Sequence, residues 1–429
     1  MSTLEHAGSE ASSLRGQRDF WKLWSGQLLS VTGDSFMTLA LPLFAVTELH
    51  VSTARAALLP FALSLPFLVV SLPAGALIDR WRRRTVMLVC DAAQAGAFGA
   101  IVLLAHLHAL AFPALMSLLA VSGCAAVFFQ VACTSFLPGL AADPDRLHRG
   151  NARLYLSESV AKTLGPITAG PVISVLGPVG AIAVNACSFV GSLLAVGGIT
   201  HRESRVPREK DRARVRLAAE IGQGLRFVLR HPVLEPVLSA GAVYVFFLSM
   251  LDATLVLYLR FSRGMPTGEI GIVLGLAGIG APLGSIASKR LADRWGASGA
   301  LVLSAAINVA GTATMPLFAT LGWTVGLIAG GIAQGFGDAV FGPISLTLRQ
   351  NMAGPELVGR VNSVQRFLLW GMIPLGSAAA SATIMLTGLP TTLWIGGLGT
   401  ILCLPTLARR GVRHASIPAR TLVTERVAP

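Results

Sequence analysis

The chain has 429 residues, of which 53% are hydrophobic and 13% charged, whereas a soluble globular chain carries about 25% charged residues. That balance excludes an ordinary soluble domain and defines a polytopic membrane protein. The net charge of +13 would suggest nucleic acid in a soluble protein, but the placement of the basic residues gives it another explanation.

A spanning helix needs about 20 apolar residues. Twelve such runs follow one another with short connections, at roughly 23–49, 55–78, 85–107, 112–136, 154–176, 179–200, 233–259, 268–290, 299–319, 323–346, 362–387 and 390–408. Met1 to Gln17 is polar and the first apolar run is too long for a signal core, so no secretory signal is expected.

Span 1, Leu23 to Leu49, encloses a lone carboxylate, Asp34. A charge at that depth costs roughly 3 kcal/mol or more unless it faces a cavity, pairs, or takes up a proton. A group that takes up a proton can couple proton flow to another movement. Asp34 is therefore the leading proton-coupling or substrate residue, with a static ion pair as the competing reading.

Span 2 ends in Gly75-Ala-Leu-Ile-Asp79-Arg80-Trp-Arg-Arg83-Arg84. Asp79, beside a cluster of arginines in a short loop, can cap a helix N-terminus or pair with a basic residue of the second half, such as Arg360 or Arg366. The simpler alternative is that Arg80 to Arg84 only fix topology. Asp91 lies about 9 Å inside the expected start of span 3 at 1.5 Å per residue, within reach of those loop arginines.

Span 5 carries Glu158 and Lys162 four residues apart, on one helix face and in the favourable acid-before-base order. Lys162 is the only lysine near the middle of a span, and it is expected to pair with Glu158 or Asp34, in either a functional or a structural ion pair. Gly165, Pro166 and Gly170 follow; they permit close helix contact and a kink.

His201 to Pro232 contains nine basic and four acidic residues and no span, so it reads as a linker between residues 1–200 and residues 233–429. Leu217, Ile221, Leu225 and Val228 recur at helical spacing. They fit either a short helix lying on an anionic membrane surface or a solvated linker whose last part continues into span 7. Asp252 lies in span 7, the equivalent of span 1, and Asp338 lies in span 10. Both are further inward-facing candidates, with simple solvation near a span end as the alternative.

Gly278-x-Gly280-x-x-x-Gly284 resembles a nucleotide fingerprint by letter, but it lies inside an apolar span and reads as helix packing. After span 8 comes Asp293-Arg294-Trp295, which repeats Asp79-Arg80-Trp81 at an offset of 214 residues. Arg149-Gly-Asn151 and Arg360-Val-Asn362 repeat at an offset of 211. Two concordant offsets in equivalent loops indicate two related six-helix halves, an arrangement that forms a central site able to open to either side.

With an even number of spans both termini share one face. Thirty of the 34 Lys and Arg residues fall on that face, against Arg55, Arg260 and Arg263 on the other and Lys162 within a span. The positive-inside rule then puts both termini in the cytoplasm, and nucleic acid becomes unnecessary. Arg outnumbers Lys thirty to four and Ala is abundant, which fits a high-GC bacterial genome. The five cysteines lie inside predicted spans without a Cys-x-x-Cys pair, so they read as packing residues with no disulfide. His106-x-His108 is too little for a metal site, and no Gly-x-x-x-x-Gly-Lys-Ser/Thr loop occurs; the energy source is expected to be an ion gradient. Gln94, Gln130, Asn185, Asn308 and Gln334 lie in spans and either meet a ligand or join neighbouring helices.

Twelve spans, the six-plus-six repeat, the long central loop and Gly75-x-x-x-Asp79-Arg80-x-x-Arg83-Arg84 together resemble the major facilitator superfamily across essentially the whole chain. The start of span 1 (Leu23 to Ser30, then Gly33-Asp34), the Gly165-Pro166 stretch and Glu220 to Arg230 are similar to bacterial macrolide-efflux proteins and the enterobactin exporter. Residues 161–171 are similar to the helix 5 signature of drug/proton antiporters, with Ala161 and Pro171 standing where that signature has glycine. The resemblance implies an all-α fold of twelve helices in two pseudo-symmetric halves. It also implies alternating access by rocking of the halves, with Gly75, Asp79, Arg80, Arg83, Arg84, Asp293, Arg294, Arg360 and Arg366 forming the latch.

These readings converge on a multi-pass protein of the bacterial inner membrane that exports an amphipathic small molecule, such as a drug, secondary metabolite or siderophore, by proton antiport. The direction comes from the resemblance. An importer of a nutrient or lipid on the same fold is the first alternative. A non-transporting receptor or scaffold is another, although only about 22 residues precede span 1 and about 21 follow span 12. An enzyme is not expected, since no nucleophile, base and metal constellation is visible. The expected partners are the substrate, protons and the bilayer; no cofactor or metal is expected, and a monomer suffices.

Overall fold

The computed structural model describes residues 2–78, 81–140, 144–201, 223 and 225–407. Within its helices, the side chains of 2–16, 72, 73, 75, 76, 144–149, 151, 152, 155, 156, 158, 354–356, 358, 359 and 363 lie outside the description.

The described elements are helical. α1 is Ser2–Thr47, and a short turn of helix, Thr53–Ala56, leads into α2, Leu59–Ile78. α3 is Arg83–His106 and α4 is Phe112–Leu140. The helix Pro144–Gly197 is broken at Gly177, where φ is 73° and ψ 172°, giving α5 (144–176) and α6 (178–197). Glycine tolerates this positive φ without a steric penalty, and Pro178, lacking an amide hydrogen, is suited to open the next helix.

α7 is Leu234–Leu257, prolonged by a π-helical turn, Tyr258–Ser262. α8 comprises Thr267–Ala277 and 280–295, and Gly296 (φ 69°) separates it from α9, 297–321. The long helix Thr324–Thr387 contains two apolar stretches, α10, Thr324–Ala353, and α11, Arg360–Thr387. α12 starts as Leu389–Gly399 and ends at Leu407.

Among the described residues ten stretches are long and apolar enough to cross a membrane, and two of the ten carry the breaks at Gly177 and Gly296. Counting each broken stretch as two is consistent with the twelve spans expected from hydropathy. The boundaries differ mainly where helix continues beyond the apolar run, through polar residues at Ser2–Gln17 and through one further turn at Leu137–Leu140.

The buried core is divided unevenly between the two faces. On the face away from the termini, one cluster joins the halves, with Phe44, Leu59, Phe98 and Phe189 of the first half and Leu257, Ile270, Leu327 and Leu393 of the second. Toward the face that carries the termini the core separates. Leu23, Ile78, Met87, Phe136 and Val196 belong to a cluster of the first half, while Val237, Leu301, Val340 and Leu407 belong to a cluster of the second.

The halves also approach each other directly at two helix pairs. Glycines of α8 pack on α5: a Cβ on Gly278 would come 3.0 Å from the Thr163 Cα, and one on Gly271 would run into the Pro166 carbonyl. Thr163 Oγ1 donates to the Gly278 carbonyl at 3.3 Å. α2 meets α11 through Phe67 and Trp370, whose ring centroids are 4.7 Å apart. The glycine pattern that mimics a nucleotide fingerprint therefore serves contact, since Cβ atoms on Gly280 and Gly284 would strike the carbonyls of Ile332 and Phe336 in α10.

Candidate functional site

Asp34, Lys162, Asp252 and Asp338 are all solvent-accessible although each lies well inside a membrane-spanning helix. For Asp252 the exposure is local, because Met250, Leu251, Ala253 and Thr254 beside it and Leu255 and Val256 one turn on are all buried. Accessibility at one position of an otherwise buried helix marks an internal cavity rather than a lipid-facing surface. The four groups come from α1 and α5 of the first half and α7 and α10 of the second, so the cavity lies between the halves. A core shared by both halves lies on one side of these groups, and toward the face that carries the termini the core is divided between the halves.

Asp34 is held by a neutral partner. Asn185 Nδ2 of α6 donates to Asp34 Oδ1 at 3.3 Å, and Ser188 Oγ donates to Asn185 Oδ1 at 3.2 Å. Asn185 is fully buried, so only the carboxylate reaches the cavity. Gly33 makes this possible, because a Cβ there would strike Ser188 Oγ and Asn185 Oδ1. Gly165 of α5 lies against Ser35 in the same way, and a Cβ on Gly170 would come 3.0 Å from the Gly268 Cα of α8.

In the second half, Tyr244 of α7 bonds Thr312 Oγ1 of α9 at 3.2 Å and receives Gln334 Nε2 of α10 at 3.4 Å. Asp338 stands one turn beyond Gln334 and lines a cavity of about 70 Å³ with Tyr244, Asn308, Phe341 and Leu369. Across the gap, Lys162 is close enough to Asp338 to act on it electrostatically. Gln94 of α3 and Asn308 of α9 are both buried, and their separation of 214 residues equals the repeat offset of the Asp-Arg-Trp loops.

The remaining sequence candidates are distributed as follows. Asp79 and Arg80 lie outside the described residues, as do the side chain of Glu158 and the surroundings of Gly75. Arg84 donates to the carbonyls of Val196 and Gly197 at the end of α6, a contact within the first half. Arg360 donates to Gln223 Oε1 at 2.7 Å, Arg366 and Asp293 are exposed, and the Arg294 guanidinium stands 5.7 Å from the Trp295 ring centroid.

Asp91 differs from its sequence expectation. It is 1% exposed and accepts from Ser192 Oγ at 2.8 Å. The neighbouring arginine Arg84 is instead bound to α6 carbonyls, and the α3 face bearing Asp91 turns into the bundle.

Two polar networks escaped the sequence reading. Asp19, 2% exposed, accepts from the amides of Thr200 and His201 and from Lys22, tying the entry of α1 to the exit of α6. Buried Arg349 donates to Ser345 Oγ at 2.8 Å and to Asn362 Oδ1 at 3.3 Å, which gives the asparagine of the repeated Arg-x-Asn pattern a structural partner. Lys22 with Asp19 and Ser345 with Arg349 are one helical turn apart, but the contacts to Thr200, His201 and Asn362 follow no helical period, and their only sequence signal is a charge next to an apolar run.

A pseudo-symmetric bundle with a charged cavity between its halves defines the class of secondary membrane transporters. The chain belongs to the Major Facilitator Superfamily, whose sequence profile matches residues 23–377. It is 26% identical over 370 residues to the uncharacterized MFS-type transporter y4rN of Sinorhizobium fredii, covering 85% of this chain and 88% of that one. It is 27% identical over 376 residues to the multidrug efflux pump Tap of Mycolicibacterium fortuitum, covering 85% and 89%. A bacterial homologue of the iron transporter ferroportin, 17% identical, superposes in its inward-facing state with a TM-score of 0.72 over 91% of this chain and 98% of that chain. In its outward-facing state the TM-score is 0.61 over the same shares.

Proposed function

We propose that this chain is a proton-coupled exporter of amphipathic, preferentially cationic small molecules, oriented with both termini in the cytoplasm. The observation that carries the reading is the exposure of three carboxylates and one ammonium, Asp34, Asp252, Asp338 and Lys162, at membrane depth on helices of both halves. An excess of negative charge in an otherwise apolar cavity favours a lipophilic cation or bound protons. The efflux activity named for the Tap relatives supports the direction.

Asp34 binds either a proton or the cationic group of the cargo, and Asn185 holds its carboxylate toward the cavity. Competition between the two ligands for one charge is the simplest form of antiport. Cargo entering from the cytoplasmic side displaces the proton, and a proton arriving from the other side displaces the cargo. The higher superposition on an inward-facing structure supports an inward-open resting state. Rocking of the halves would part the α5–α8 and α2–α11 contacts and close the terminal face, with the turn at Asp79 to Arg84 acting as latch against Arg360 or Arg366 of the second half and Asp293-Arg294 as its repeat-related counterpart. Glu158 with Lys162 would tune the charge seen by Asp338.

Purified protein in proteoliposomes tests this with a panel of lipophilic cations. Cation-driven proton movement is expected in the wild type and is expected to fall at least tenfold in Asp34→Asn. Equal movement in both would remove Asp34 from the coupling.

A further inference from the structure

Two carboxyl groups of the first half face the same helix. Asn185, Ser188 and Ser192 fall at positions i, i+3 and i+7 of α6 and so share one side of it. Asn185 serves Asp34 at one end, and Ser192 serves Asp91 at the other, 2.8 Å from Oδ2. Helix α1 covers this polar side with residues that have no side chain. A Cβ on Gly33 would strike Ser188 Oγ, and one on Gly26 would come 3.3 Å from Ser192 Oγ. The two glycines, seven residues apart, lie on one face of α1 and let its backbone close over the polar stripe.

The two ends differ in access. Asp34 opens to the cavity, whereas Asp91 is 1% exposed and its Oδ1 is buried with no hydrogen-bond partner among the described residues. Ser192 of α6 bonds Asp91, and the thiols of Cys133 from α4 and of Cys90 beside it on α3 are near enough to act on it electrostatically. Cys133 Sγ is engaged with Gln27 Oε1 of α1 at 3.1 Å. Arg84, two turns earlier on α3, is committed to α6 carbonyls. The titratable neighbours are thus two thiols and the Asp34 carboxyl, the last near enough to act electrostatically.

An ionised carboxylate needs donors at both oxygens when it leaves water, and this site supplies one hydroxyl. A neutral acid fits better. Its Oδ2–H donates to Ser192 Oγ, and Oδ1 becomes a carbonyl oxygen, the less costly group to leave unpaired.

We propose that Asp91 is a second proton-binding site, sealed inside the first half, linked to Asp34 by the polar side of α6 and occupied in this conformation. The ligand is a single proton, exchanged with the cavity when the seam between α1 and α6 parts. This deepens the proton-coupled reading, and its test is made on resting protein, so that failure of Asp34 as coupling residue and failure of Asp91 as proton site are separate results.

Infrared difference spectra of the full-length protein in lipid at neutral pH, comparing wild type with Asp34→Asn and Asp91→Asn, report the carbonyl stretch of a protonated carboxyl group. A slowly deuterium-exchanging band is expected in wild type and Asp34→Asn and absent from Asp91→Asn. Identical spectra for wild type and Asp91→Asn would overturn the proposal. If Asp91→Asn does not fold, Ser192→Ala decides. Loss of its hydrogen bond is expected to move the band to higher frequency, and an unmoved band would overturn the assignment.

Discussion

Asp34, Asp252 and Asp338 stood out in the sequence because a carboxylate inside an apolar run has no inexpensive place in a bilayer. The identity of Asn185 as the partner of Asp34 was not legible, because 151 residues separate them and no period connects α1 to α6. Gly33 carries that contact. Gly33→Ala is expected to destabilise the protein by about 1–3 kcal/mol through overpacking, read as a lower unfolding temperature in detergent, since the new Cβ meets Ser188 and Asn185. Gly96, whose Cβ would meet nothing within 4 Å, gives the contrast. Gly96→Ala is expected to be neutral or to stabilise by up to about 1 kcal/mol, and equal losses at both positions would contradict the packing account.

At the scale of elements, hydropathy located the ten membrane-spanning stretches among the described residues, since about 20 apolar residues are a strong and local signal. The helix ends were less legible because they are set by single residues. The start of α7 shows this: His231 Nδ1 accepts from the amides of Val233 and Leu234 at 3.2 Å each, and Pro232, between them, has no amide hydrogen to satisfy. Only an imidazole with an unprotonated Nδ1 can accept these bonds, and partial burial lowers the His231 pKa below 6.5. The sign follows. The stabilisation is complete well above pH 6.5, where the folded and unfolded histidine are both neutral, and declines as pH falls through 6.5 because the unfolded chain binds the proton more readily. His231→Ala is expected to cost about 0.5–2 kcal/mol and to remove this part of the pH dependence of unfolding between pH 5 and 7. An unchanged pH profile in the variant would show that the cap contributes nothing.

The whole molecule depends on contacts that a sequence cannot display, since the core of one face is shared by both halves while that of the other is divided. The repeated loops indicated two related halves, but not which face holds them together. Thr163 and Gly278 sit on the joined side. A Thr163→Cys, Gly278→Cys pair in a background lacking the native cysteines is expected to cross-link on mild oxidation of the resting protein. Cross-linking should stop transport, and reduction should restore it. Transport that continued at full rate through the cross-linked form would exclude parting of α5 and α8 as a step of the cycle.

The central claim, outward movement of a lipophilic cation in exchange for protons through Asp34, is tested most directly in everted membrane vesicles holding an acid-inside pH gradient followed by a lumenal pH dye. Addition of the cation to wild-type vesicles is expected to discharge the gradient and to load the cation into the lumen, with both effects lost in Asp34→Asn. A gradient that stays intact in wild-type vesicles while the cation accumulates inside would contradict proton exchange, and discharge of equal size in Asp34→Asn would contradict the role of that carboxylate.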